Sequence, residues 1–203
     1  EGTFLEFIRN LGGIPFGAEH SAANVAKMKA LGIEAHQGSA ESIATDRKFG
    51  VATMLWTLEC ASSPQALLSV ARGLLKPTGL LVVATSSRIL VPFKKLLSDY
   101  MVPVPADTHP VRPSRNGMAR MLGRAGFTVT YENRWKDSDV LLLIAKPSAK
   151  TVAKGDDPKA VLDWLNRWHR ETQALSPILN SVTEEEMSGT YSEPMRVRLT
   201  NGV

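Results

Sequence analysis

Along the first 147 residues, hydrophobic and polar positions alternate between a helical period and a strand-like one. Phe4, Leu5, Phe7, Ile8 and Leu11 recur at helical spacing, and Gly12-Gly13 stops that run. Ile14 to Ala18 predicts a short strand closing on Glu19. Ser21 then suits the cap of a helix through Leu31, ended by Gly32. Ile33 to His36 predicts a second short strand, followed by a turn at Gln37-Gly38-Ser39-Ala40. Phe49 to Leu55 has the mixed apolar character of a buried strand, with Gly50 as its weak point. Gln65 to Leu75 predicts a helix with Ala66, Leu67, Val70 and Leu74 on one face. Lys76-Pro77-Thr78-Gly79 predicts a turn, and Leu80 to Thr85 is the clearest strand.

Beyond Thr85 the pattern breaks. Pro92, Pro103, Pro105, Pro110 and Pro113 punctuate a stretch with one short helix, Phe93 to Tyr100. Ser114 opens a helix to Ala125 that Gly126 closes. Thr128 to Trp135 and Val140 to Ala145 read as a hairpin-like pair around Lys136-Asp137-Ser138. Strands alternating with helices, followed by an antiparallel ending, predict an α/β three-layer sandwich. Its sheet is expected to be mostly parallel with an antiparallel last strand. Residues 1–147 form this domain, with a proline-rich insertion at 88–113. Residues 148–203 form a linker, an amphipathic helix and a polar tail. Asp156-Asp157-Pro158 starts that helix, and Val161, Trp164, Leu165 and Trp168 make one apolar stripe up to Pro177.

The chain has 203 residues, 43% hydrophobic and 22% charged, which excludes a wholly disordered protein. A net charge of +4, with 6% aromatic residues, suits an anionic small substrate and gives little support to a nucleic-acid surface. The single cysteine, Cys60, excludes an internal disulfide framework and a multi-cysteine zinc site. The four histidines are well separated, so no metal site is expected. Leu80 to Ala84 falls far short of a membrane span, and no signal pattern is visible, so a reducing cytoplasm is the expected compartment. Cys60 reads as a small buried filler, with no histidine near it in sequence. His109 is the candidate general base, since imidazole titrates near neutral pH; alternatively it organises the loop before Pro110. Arg112 and Arg115 either grip a phosphate or carboxylate or form a solvated basic face. Ser39 either contacts a ligand or caps the next helix.

Six segments in order resemble the class I S-adenosylmethionine-dependent methyltransferases, over roughly Glu1 to Pro147. Glu1-Gly2-Thr3-Phe4-Leu5 is similar to the end of the family's glycine-rich loop entering its first helix. Gly17-Ala18-Glu19-His20-Ser21 resembles the acidic end of the second strand. Gln37-Gly38-Ser39-Ala40-Glu41 resembles the segment after the third. Phe49 to Glu59 with Ser63-Pro64 resembles the fourth strand and its exit. Leu74 to Leu81 resembles the turn before the fifth, and His109, Ser114 and Ala125-Gly126-Phe127 the late helix–strand block. The resemblance implies a Rossmann-like fold and methyl transfer to a small-molecule acceptor, an anionic or sugar-containing metabolite. S-adenosylmethionine is the implied cofactor and S-adenosylhomocysteine the product.

For the cofactor it implies Gly2, Glu19, His20, Ser39, Ala40, Leu55 and Trp56, with Glu19 on the ribose hydroxyls. His109 falls to catalysis, and Glu59, Tyr100 and Arg112 to the substrate. The family's first strand and most of its glycine loop lack a counterpart here, so residues before Glu1 are expected in the full protein. Gly50 replaces the usual acid of the fourth strand, and Cys60 the histidine often found after its exit glutamate. These departures keep two rivals open: an inactive methyltransferase-like interaction domain and an RNA methyltransferase. The tryptophan helix, 157–176, packs on its own domain, closes over substrate or forms a homodimer contact.

Overall fold

The computed structural model describes residues 2–86, 88–91, 96–100, 109–134 and 138–179. Its elements are α1 (Thr3–Asn10), β1 (Phe16–Glu19), α2 (Ala22–Ala30), β2 (Glu34–Gln37), β3 (Phe49–Leu55), α3 (Pro64–Leu74), β4 (Leu75–Thr85), α4 (Leu97–Tyr100), α5 (Arg115–Arg124), β5 (Phe127–Glu132), β6 (Leu141–Pro147) and α6 (Pro158–Leu179). Serine hydroxyls set three of the helix starts. Ser21 accepts from the Asn24 amide, Ser63 from Ala66, and Ser114 from Gly117 at 2.8 Å, each satisfying an otherwise orphaned N–H.

The strands form two sheets. β1 and β2 pair in parallel, Phe16 opposite Glu34 and Glu19 opposite Gln37. The other sheet has the order β3-β4-β6-β5, with β3 and β4 parallel and β6 antiparallel to both its neighbours. Thus β3, β4 and β5 run one way and β6 opposes them, which gives the expected antiparallel last strand. Lys76-Pro77-Thr78-Gly79 is no free turn. Phe49 pairs with Leu75 and Val51 already with Leu80, so these residues bulge within β4.

The main core lies between this four-stranded sheet and helices α3 and α5. Leu81, Val83, Leu141 and Leu143 pack there with Leu68 of α3 and Leu122 of α5. Each such side chain contributes about 1.5–3 kcal/mol when fully buried. The buried face of α3 is Leu67, Leu68 and Ala71, whereas Val70 and Leu74 are only half-buried and line, together with Leu67 and Ala71, a cavity. The helix is rotated relative to the expected face, with Leu68 and Ala71 in the core that α3 shares with α5 and β4, which periodicity alone does not reveal. A second cluster, Val25, Met28 and Ile33, holds α2 to the small sheet. α1 buries none of its residues.

The chain divides into two compact units, residues 1–89 with 108–155, and residues 90–107 with 156–203. In the second, the Tyr100 and Trp168 rings lie 4.8 Å apart, and Trp168 lies 4.9 Å from Trp164. Trp168 is buried, so the stripe on α6 is used within its own unit. Asp157 accepts from the Lys159 amide at 3.0 Å at the start of α6. The helix continues through Pro177 to Leu179, since a proline in the last turn breaks only one ladder bond. The expectations for Phe93, Trp135, Lys136-Asp137 and the polar tail from Asn180 lie outside the described residues.

Candidate functional site at the strand ends

Open α/β sheets bind ligands at the carboxyl ends of their strands. β1 ends on Glu19, whose Oε1 accepts the Ser21 amide at 2.8 Å, while its carbonyl accepts Gly38 N–H at 3.0 Å. The capping serine thereby fixes the carboxylate and leaves Oε2 as a ready acceptor. Glu19 is half-buried, and His20 beside it is exposed. After β2, the Ser42 hydroxyl donates to the Ser39 carbonyl at 2.7 Å and stands 2.8 Å from His36 Nε2. With its proton used on Ser39, Ser42 must accept from His36, which sets the Nε2–H tautomer. Ser39 makes no side-chain capping bond. Its side chain therefore does not cap the turn that follows.

After β3, Trp56 adopts a left-handed backbone with φ +53° and an indole 54% exposed. Such a conformation is rare for a bulky residue and is held here by Trp56 N–H donating to Ala84 O at 2.8 Å. A cavity of about 810 Å³ reaches this edge at Ala18, Ala40, Leu55 and Thr57. Of the residues expected to hold a cofactor, Ala40 and Leu55 line it. Gly2 caps α1 with φ +86°, and a Cβ there would stand 2.6 Å from Met28 Cγ. Local packing alone requires its glycine. Thr57 was missed by sequence reasoning; its only signal is its place two residues past a strand end.

On the other side of β3's exit, Glu59 is fully buried. Its Oε1 accepts Ser86 N–H at 3.2 Å and its carbonyl accepts Val111 N–H at 3.2 Å. It therefore ties together the exits of β3 and β4 and the segment entering α5. His109 and Arg112, both half-buried, flank that tie. Neither lines the cavity. Arg115 pairs with Glu132 at 2.5 Å. Tyr100 belongs to the second unit, packed on Trp168. Cys60 is exposed, contrary to the buried filler expected, because the turn after β3 points it outward. Partial burial of its thiol, then the charge of Glu59, push its pKa up, so it is protonated at neutral pH and a poor nucleophile. Among the described residues no cluster of metal-ligating side chains occurs, and no helix is long and apolar enough to cross a membrane.

A family model described as a methyltransferase domain matches residues 1–132, well over half of the chain. The chain belongs to the methyltransferase-domain family. Solved structures share its fold. A methyltransferase of Haloferax volcanii, solved in complex with its activator protein, is 15% identical with a TM-score of 0.58, covering 72% of this chain and 78% of its own. A Mesorhizobium loti S-adenosylmethionine-dependent methyltransferase is 16% identical with a TM-score of 0.56, over 71% of this chain and 86% of its own. The glycopeptide N-methyltransferase MtfA, complexed with S-adenosyl-L-methionine, is 18% identical with a TM-score of 0.51, over 72% and 77%. No curated protein matches by sequence. As a methyltransferase domain, the chain carries the family match across β1 to β5, the region that contains Glu19 and all the cavity's lining residues except Leu142.

Proposed function

We propose that this domain transfers a methyl group from S-adenosylmethionine to a small-molecule acceptor and releases S-adenosylhomocysteine. The observation that carries the reading is Glu19, a half-buried carboxylate at a strand's carboxyl end with Oε1 fixed by Ser21 and Oε2 available. That acceptor suits a vicinal diol, and the apolar cavity reaching Ala40 and Leu55 suits a nucleobase beside it. When bound, the cofactor supplies an electrophilic methyl carbon on a sulfonium. Glu19 accepts the two ribose hydroxyls, with His20 beside it. Ser39 offers its uncapped hydroxyl to the base, and Ala40 and Leu55 exclude water around it. Gly2 and Trp56 border the same edge from α1 and from β3's exit.

Methyl transfer is a displacement, so the chain's remaining tasks are alignment and removal of one proton. His109 takes that proton. The bond from Val111 N–H to Glu59 O, two residues from His109, anchors its segment to the exit of β3. Arg112 supplies a positive charge for an anionic acceptor, and Glu59 completes the acceptor side. A non-catalytic, partner-binding role draws on different observations: Gly50 stands where the family carries an acid, and the Cys60 thiol is protonated where a histidine is common. Calorimetry separates the two readings. Titration with S-adenosylhomocysteine is expected to show one binding event that NAD does not compete away. Preference for NAD would overturn the methyltransferase reading, and absence of S-adenosylhomocysteine binding would favour the interaction role.

A further inference from the structure

Acidic residues are absent from three stretches of the chain, 60–98, 108–131 and 140–155, while lysine or arginine recurs in all three. The fold gathers part of this excess at one corner of the first unit. β3, β4 and β5 start at the same end of their sheet, and β6, antiparallel to its neighbours, finishes there. Arg72 in the last turn of α3 donates to the carbonyl of Gly126, just before β5, at 3.1 Å. Ser148 N–H donates to the same carbonyl at 2.8 Å and Thr151 N–H to Gly123 O at 2.9 Å, so the segment after β6 lies along the last turn of α5. It continues beside Arg120, where a Cβ on Gly155 would stand 2.8 Å from the guanidinium.

Six exposed cations meet at this corner: Lys76 in the bulge of β4, Arg120 and Arg124 one turn apart on α5, Lys146 in β6, and Lys150 and Lys154 after it. Arg72 and Lys48, at the same end, are used in the fold, since Lys48 Nζ donates to Gly73 O at 2.7 Å and so satisfies a carbonyl at the end of α3. Among the described residues none of the six forms an ion pair or a side-chain hydrogen bond. The nearest acids in sequence, Asp156 and Asp157, begin the second unit. Like charges one helical turn apart repel, so the cluster is a cost to the fold that an anionic partner would offset.

The corner also shows apolar tips. Val152, between Lys150 and Lys154, is 80% exposed, and Pro77 beside Lys76 is exposed as well. An anionic bilayer surface uses both kinds of group: cations against the lipid headgroups, and small apolar side chains that enter the interfacial zone. A nucleic-acid backbone uses the charges but offers Val152 nothing. The exposed rings of this sheet on which bases could stack, Trp56 and Tyr131, lie at the opposite ends of β3 and β5. We propose that this corner is a peripheral docking surface for membranes rich in anionic lipid. The cavity edge at Leu55 and Thr57 lies at the other end of the sheet, so the surface tethers the domain and leaves that edge open. It does not depend on the proposed reaction.

The test is co-sedimentation of the whole chain with vesicles of phosphatidylcholine, alone or with about 30% phosphatidylserine. Binding is expected on the anionic vesicles only, falling about tenfold or more between about 0.1 and about 0.5 M salt. Lys146→Glu, Lys150→Glu and Lys154→Glu together should weaken it about a hundredfold, at roughly fivefold per charge. A control triple, Lys29→Glu, Arg134→Glu and Arg170→Glu, reaches the same net charge from exposed positions elsewhere and should stay within about threefold of the parent. Val152→Ser should weaken vesicle binding about threefold. In the parent, anionic vesicles should slow amide exchange at 120–124 and 146–155 and leave α2 unchanged, a readout that needs no variant. Four outcomes overturn the proposal: no preference for anionic vesicles, equal losses in the two triples, parent-like vesicle binding by Val152→Ser, or an exchange footprint elsewhere. Tighter binding of polyuridylic acid than of vesicles at equal phosphate concentration would also overturn it and assign the corner to nucleic acid.

Discussion

On one flank of the first unit, β3, β4, β6 and β5 bury Leu81, Leu141, Leu143 and Phe127 against Leu68 and Leu122 of two helices. On the other flank, β1 and β2 with α1 and α2 bury only Val25, Met28 and Ile33, and Phe4, Phe7 and Ile14 remain exposed. Both flanks use the same strand–helix alternation and comparable hydrophobic spacing. The difference lies in what each helix has to pack on. α3 and α5 lie on a sheet four strands wide, whereas a two-stranded ribbon is marginal by itself and offers α1 little surface. Hydrophobic periodicity thus specifies which face a helix will bury, and the neighbouring strands decide whether that face is covered.

The sharpest way to break this comparison is to make the same substitution on each flank and follow denaturant unfolding. Phe127→Ala removes a 1% exposed ring from the packed core and should cost about 3–5 kcal/mol. Phe7→Ala, at a ring 58% exposed, should stay within about 0.5 kcal/mol. Comparable losses at both positions would mean that α1 is packed after all and that the flanks are alike.

Much of the packed flank was legible in the sequence. Ser114 and Gly126 bracket α5 because a hydroxyl cap and a left-handed glycine act locally, whatever the tertiary context. Leu141, Leu143 and Ala145 alternate with half-buried Leu142 and Ile144, as a strand should. Features governed by distant partners were not legible. The choice of Leu68 over Leu74 as the buried side of α3 depends on α5, and the Lys76–Gly79 bulge depends on the register with Phe49 and Val51. At the site, the strand-end position of Glu19 was readable because it follows from local order. The strained backbone of Trp56 has no glycine or asparagine to announce it, and it depends on the Ala84 carbonyl of the next strand. The burial of Glu59 likewise depends on Ser86 and Val111, far along the chain.

A smaller effect sharpens the comparison where the flanks touch. Arg47 pairs with Glu34 of β2 and covers both Phe16 and Phe49. Glu34 is largely exposed and Arg47 partly so, and Arg47→Ala should cost about 1 kcal/mol or less. Its clearer signature is local: exchange at β1 and β2 amides should quicken while β4 and β6 stay unchanged. Equal quickening in all four strands would show that the small sheet opens only with the whole unit.

On the proposed function, Glu19 holds the ribose of an S-adenosyl cofactor at the end of β1. The direct test is the dissociation constant of S-adenosylhomocysteine in Glu19→Ala against the parent chain. Loss of a charged acceptor should weaken binding by about 1.5–3 kcal/mol, roughly ten- to a hundred-fold, with the thermal midpoint nearly unchanged. A parent that binds S-adenosylhomocysteine and a Glu19→Ala variant that binds it equally well would contradict the claim.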